Sequence, residues 1–284
     1  MLPIDSIIGK TTFITGTEKN AGKTALLVLL LRLLRNRTPL FYTSAGLDGE
    51  EVCVMTGGEK PGIHCEPADL IATSCSALKE SSARFELIEV FPWVSALGRT
   101  VFARAVRGGR VELVGPETNS QLGEVIRVAR MFAESVTILV DGAAGRLTQV
   151  SSVLRAGFIH VVKLEPANFE KTIRRLKLLE LLSSLEPFAG YEKEAFIVSG
   201  ALTTGTGFPD DADTVIIEDQ SRVFLPPTEF ERLLSKYRVF VRERFPLRFC
   251  TVRIVDLDRK KALSELRKAA PSLTIIENPY EDVA

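Results

Sequence analysis

Residues 11–35 read TTFITGTEKNAGKTALLVLLLRLLR, and the fold class follows from how this stretch divides. Residues 11–15 are β-branched or aromatic and predict a strand. Residues 16–22 are small or polar, with glycine at both ends, and predict a turn. Residues 23–35 are too long and too leucine-rich for a strand and predict a buried helix. Residues 40–43, LFYT, are a second short strand. Strand, loop, helix, strand is the opening of a doubly wound α/β sheet.

Outward from this core the same alternation continues. Residues 44–61, SAGLDGEEVCVMTGGEKP, are rich in glycine and acids, and a loop of that length in a compact domain is usually functional or disordered. Segments 70–77 and 85–91 are ambiguous. Residues 100–106 and 110–114 flank Gly108 and Gly109 and read as a hairpin. Residues 121–133 have helical apolar spacing, and 135–140, SVTILV, form a buried strand ending at Asp141. Beyond it, 157–164, 195–198, 214–217, 237–241, 248–255 and 273–276 read as strands, with helices over 169–185, 226–236 and 259–269. No repeat, linker or low-complexity stretch divides the chain. The expectation is one α/β domain over residues 1–284, a doubly wound, mostly parallel sheet with a β-rich elaboration around 90–115.

Composition narrows the function. Of 284 residues, 45% are hydrophobic and 25% charged, with 36 basic and 36 acidic side chains. This is the make-up of an ordinary soluble globular protein. The balanced charge supplies no global field for nucleic acid or an anionic membrane, so neither is an expected partner. The longest apolar run, residues 25–31, falls well short of the roughly 20 residues a membrane span needs. The N-terminus lacks a basic segment followed by an apolar one, so a reduced, cytoplasmic setting is expected. Cys53, Cys65, Cys75 and Cys250 form no CxxC pair and there are two histidines, His64 and His160, so a zinc site is poorly supported.

The chemistry lies in Gly16, Thr17, Glu18, Lys19, Asn20, Ala21, Gly22, Lys23, Thr24 and Ala25. A phosphate-cradling loop needs a strand to deliver it, small residues that let backbone N–H groups converge, and a helix N-terminus with its positive dipole end. It also needs a Lys for the β- and γ-phosphates and a Ser or Thr hydroxyl for Mg²⁺. Gly22, Lys23 and Thr24 supply the last elements directly before the helix. The usual spacing places four residues between the first Gly and the GK pair. Here five follow Gly16, and Thr17 stands where the first Gly is expected. Glu18 inside such a loop repels phosphate unless it turns away or touches metal.

Mg²⁺ prefers oxygen ligands and keeps several waters. Asp141, at the end of a buried strand and before Gly142, is placed for a metal-organising carboxylate beside Thr24. Asp48, in the acidic loop Asp48-Gly49-Glu50-Glu51, is the candidate to position attacking water or to reach the metal through water, with Glu50 as substitute. Glu117 is a weaker candidate for a third carboxylate. Arg146 is placed either to contact phosphate or to sit on the surface.

The loop resembles that of dethiobiotin-synthetase-like ATPases, and its KNAGKT part is similar to the GTP-binding accessory proteins of molybdopterin guanine dinucleotide synthesis. Both belong to the SIMIBI class of P-loop NTPases. Several segments in order, GTEKNAGKT (16–24), TSAGLDGE (43–50), Lys60-Pro61, IAT (71–73), VELVGP (111–116), VDGAAGR (140–146), SGALT (199–203) and VIIEDQSRVFL (215–225), together resemble the small P-loop subunit of the lysine 5,6-aminomutase (or ornithine aminomutase) reactivase. The resemblance implies ATP and Mg²⁺ as ligands. It also implies partnership with a MutS-like ATPase subunit and an adenosylcobalamin-dependent aminomutase, whose damaged cobalamin ATP turnover would help release. The 199–203 segment is a candidate lining for base or sugar, and a homodimer is possible by analogy with the class.

Two other function classes stay open on sequence. One is an ATP-dependent ligase or kinase of the dethiobiotin-synthetase type. The other is a non-catalytic nucleotide-binding regulator. The absence of an NKxD-type guanine-reading segment favours ATP over GTP.

Overall fold

The computed structural model describes residues 2–18, 21–45, 63–95, 97–144, 156–190 and 195–279. At its centre is β1 (Thr11–Gly16), buried along its whole length. It is followed by α1 (Lys23–Leu34) and then β2 (Leu40–Ser44). Next come β3 (Ile63–Cys65), β4 (Leu70–Ser74), α2 (Cys75–Glu80), β5 (Arg84–Ser95), β6 (Gly98–Arg107) and β7 (Gly109–Val111). Then follow α3 (Asn119–Phe132), β8 (Thr137–Ala144), β9 (Gly157–Leu164) and α4 (Phe169–Ser183). The last part holds β10 (Phe196–Ile197), β11 (Thr214–Ile217), α5 (Pro227–Lys236), β12 (Arg238–Val241), β13 (Leu247–Ile254), α6 (Arg259–Ala269) and β14 (Ile275–Glu277).

Among the described residues, nine strands form the main sheet in the order β14-β13-β9-β1-β8-β2-β4-β6-β5. Every pairing from β14 to β4 is parallel, and the β6 and β5 pairings are antiparallel. A sheet buried on both faces needs apolar residues at odd and even positions alike, and β1 shows how they are used. Phe13 belongs to one core cluster with Val125 of α3, Leu176 and Leu179 of α4, and Leu266 of α6. Ile14 belongs to another with Leu26, Leu27 and Leu30 of α1. The α/β, mostly parallel, two-faced architecture expected from the sequence is therefore present.

A polar clamp fixes the far end of α1. Arg35 Nη2 donates to Asp69 Oδ2 at 3.0 Å, and the same oxygen accepts from the Tyr42 hydroxyl and the Glu66 N–H, each at 2.9 Å. Asp69 is 5% exposed, so its charge needs these donors.

Two expectations are corrected. The hairpin is not 100–106 with 110–114 across Gly108-Gly109. It is β5 with β6, an antiparallel edge to the main sheet, while β7 turns away to pair with β3. The glycines serve close crossing rather than a tight turn. A Cβ on Gly109 would stand 2.5 Å from the Ala83 nitrogen, and one on Gly108 would stand 3.0 Å from the Cys65 carbonyl oxygen. The elaboration expected near 90–115 is this edge hairpin.

The second correction concerns residues 195–241. Strands β10, β11 and β12 make a separate three-stranded parallel sheet, with its own core of Leu202, Val215, Ile217, Phe230, Tyr237 and Val241. The 199–203 segment, the candidate lining for base or sugar, belongs here, where Leu202 bridges to Val223, and not to the main sheet. Composition hides the split because a parallel strand is apolar in either sheet.

Candidate functional site

The order of the strands builds the site. β1 lies between β8 and β9, parallel to both. The connection leaving β1 runs to β2, beyond β8, whereas β9 lies on the other side of β1. In open α/β sheets, ligands bind at such a reversal, above the carboxyl ends of the strands. The carboxyl end of β1 is Gly16, the first residue of the 16–25 segment.

Gly22 takes a left-handed conformation at φ +105°, which favours glycine, and this sets the chain into α1. The first-turn N–H groups of α1 have no intrahelical acceptors and face the loop with the positive end of the helix dipole. Lys23 opens the helix and folds back. A Cβ on Gly16 would stand 3.1 Å from Lys23 Cγ, 3.2 Å from its Cδ and 3.2 Å from the Val161 carbonyl oxygen. Gly16 is therefore the floor over which the lysine stem passes. The Lys23 ammonium donates to the Glu18 carbonyl at 3.2 Å. Burial pushes its pKa down from the ordinary lysine value, and the negative charge of Asp141 pulls the other way.

Thr24 donates from Oγ1 to Asp141 Oδ2 at 2.9 Å. The pair forms because β8 runs beside β1 in a register that sets Asp141 opposite Ile14, while α1 packs over that face. β2 closes the other side, its Ser44 opposite Asp141 and the Ala45 N–H donating to the Asp141 carbonyl at 2.7 Å. A hydroxyl and a carboxylate on adjacent elements beside an ammonium fit a Mg²⁺ held mostly by water and phosphate. Among the described residues, no group of three His, Cys, Asp or Glu gathers as a denser metal site.

Of the remaining loop residues, Ala21 is buried and Ala25 is exposed on the first turn of α1. The Thr17 N–H donates to the Val161 carbonyl at 3.0 Å, and its buried hydroxyl oxygen has no hydrogen-bond partner. Glu18 turns its carboxylate toward Asn168, whose Nδ2 lies 3.5 Å away. Lys19, Asn20, Asp48, Glu50 and Arg146 lie outside the described residues. Glu117 is exposed, and its N–H donates to Gln121 Oε1 at the start of α3, a helix-capping position rather than a place beside Asp141.

Residues that sequence reasoning passed over also meet the loop. His160 of β9 is 1% exposed, and its Nδ1 lies 3.0 Å from Thr15 Oγ1, one residue before the loop. Burial, together with the nearby charges of Arg175 and Lys23, pushes the His160 pKa down to about 3. Asn168, ahead of α4, sits in a Glu165–Asn168 capping box with Pro166 at the next position. That box is a readable helix-start signal. Its contact with Glu18 depends on β9 lying beside β1.

Comparison with protein-family models, with curated proteins and with solved structures returns no match to this chain. No helix among the described residues is long and apolar enough to cross a membrane.

Proposed function

We propose that this chain is a P-loop NTPase of SIMIBI type that binds ATP with Mg²⁺ on residues 16–25. The observation that carries the reading is Lys23. It opens α1, lies over Gly16 and stands beside the hydrogen-bonded Thr24–Asp141 pair. A cationic side chain, a helix N-terminus and a metal-ready oxygen pair meeting at the reversal point of a parallel sheet match the chemistry of a triphosphate.

In the proposed reaction the Lys23 ammonium leaves the Glu18 carbonyl for the β- and γ-phosphates. There it stabilises charge on the transferring phosphoryl group together with the loop N–H groups. Mg²⁺ supplies further charge neutralisation, with Thr24 and Asp141 as the residues that would hold it. Asp48 is proposed to orient the attacking water.

The wider proposal is a slow, switch-like ATPase subunit of a reactivation chaperone. Its proposed partners are a MutS-like ATPase subunit and an adenosylcobalamin-dependent aminomutase. It rests on the sequence segments that resemble the reactivase, and turnover alone should be slow and rise with the partner.

The test is titration of the purified chain with Mg·ATP and Mg·GTP, wild type against Lys23→Ala, followed by phosphate release. Tight ATP binding lost in Lys23→Ala supports the loop. Binding of neither nucleotide, or binding indifferent to Lys23, removes the proposal. ADP release that requires a small carboxylate or amine would replace the switch with a ligase or kinase. Binding without hydrolysis, even with the partner, would leave a regulator.

A further inference from the structure

A carboxylate two residues into a phosphate loop is an electrostatic problem. Glu18 lies between Gly16 and Lys23, and a triphosphate brought into the loop would meet a like charge in a partly desolvated place, where repulsion is stronger than in bulk water. Glu18 is nevertheless built into the loop, since its own carbonyl accepts from the Lys23 ammonium. The backbone of this residue faces the lysine while its side chain points elsewhere.

The carboxylate is turned to the corner between β9 and α4. Asn168 Nδ2 donates to Glu18 Oε1 at 3.5 Å and to the Lys163 carbonyl at 3.0 Å. Asn168 Oδ1 accepts from the Glu165 N–H at 3.0 Å, which decides which end of the amide is oxygen. The amide is thus held by two backbone groups, and its remaining N–H is directed at Glu18. Lys163, paired with Glu165 at 2.6 Å, adds a positive charge that Glu18 also feels. The N-terminus of α4, which starts one residue later, adds the positive end of a fifteen-residue helix.

We infer that Asn168 is a positioning residue that parks the Glu18 carboxylate away from bound phosphates, so that triphosphate affinity depends on Asn168 only while Glu18 is charged. This rests on the triphosphate reading of the loop and assigns a role to a corner that the reading did not use. Releasing the carboxylate exposes the phosphates to its repulsion. Removing the charge makes the parking unnecessary.

The experiment is calorimetric titration of the full chain with Mg·ATP and with inorganic triphosphate, at low and high salt. It compares wild type, Asn168→Ala, Glu18→Gln and the double variant, with thermal melts confirming that each is folded. Asn168→Ala is expected to weaken binding about tenfold at low salt, with the penalty shrinking at high salt as charges are screened. The penalty should disappear in the Glu18→Gln background. Asn168→Asp keeps the acceptor for the Glu165 N–H but puts a carboxylate against Glu18, and should bind at least as weakly as Asn168→Ala. Binding unchanged by Asn168→Ala overturns the inference and leaves the triphosphate reading standing. A loss that persists in the Glu18→Gln background or at high salt also overturns it, because that is the mark of a structural defect in the corner. A wild type that binds neither ligand overturns both.

Discussion

Gly16 has no side chain, and its space is taken by the stem of Lys23. A Gly16→Ala substitution adds a methyl that meets two carbons of that stem and a backbone carbonyl, all between 3.1 and 3.2 Å away. The flexible lysine yields readily, and the Val161 carbonyl must also give by a few tenths of an ångström. The expected outcome is a folded protein with a slightly lowered melting temperature and Mg·ATP affinity reduced about tenfold, the scale of one displaced charge-assisted hydrogen bond. Titration calorimetry beside a thermal melt checks it. Lys23, Thr24 and Asp141 were readable from sequence because each follows a local rule: a lysine after Gly22, a hydroxyl after the lysine, an acid ending an apolar run. Asn168 and His160 were not readable as site residues. What brings them to the loop is the pairing of β9 with β1, and no local pattern states a pairing.

At the scale of elements, the helix that carries Lys23 is only as well placed as its far end. The Asp69 carboxylate joins Arg35 to Tyr42 of β2 and to the turn before β4. Removing one partner of a buried ion pair costs about 3–5 kcal/mol, because the other charge stays behind. Asp69→Ala should lower unfolding free energy by about that much in urea titrations, whereas Asp5→Ala, whose partner Arg37 is on the surface, should cost under ~1 kcal/mol. Equal small losses in both would show that the clamp does not hold α1.

The same scale explains which elements the sequence revealed. The sequence pattern marks strands 157–164 and 214–217 and helix 259–269 with the boundaries the structure has. Each is a continuous apolar or amphipathic run, and the helix begins after Asp258, whose side chain accepts from the Lys261 N–H. Gly108-Gly109 misled because a glycine pair is equally suited to a turn and to a close crossing. Only the position of Ala83 distinguishes the two.

For the whole molecule, buried His160 adds a response to acid. His160 titrates near 6.5 in an unfolded chain and at about 3 in the fold. A folded pKa below the unfolded one means that the neutral form is the one the fold accepts. The contribution of His160 to stability is therefore complete above about pH 6.5 and is lost as pH falls from there toward 3. Unfolding free energy measured between pH 6 and 5 should fall by about 1.4 kcal/mol per pH unit more in wild type than in His160→Asn. Parallel slopes for the two proteins would mean that the histidine is hydrated in solution.

The sheet order bears on how the protein is made. β1 ends at Gly16, yet its two neighbours, β8 and β9, begin only at Thr137 and Gly157. Such long-range pairings close late, since the chain between them must first be ordered. On the ribosome, β1 emerges before either neighbour and keeps its β9 edge unpaired until residue 164 has cleared the exit tunnel, about twenty residues after β8 is complete. Nascent chains arrested before β9 would carry all of residues 16–25 and still lack Val161, the wall against which Gly16 and Thr17 are set.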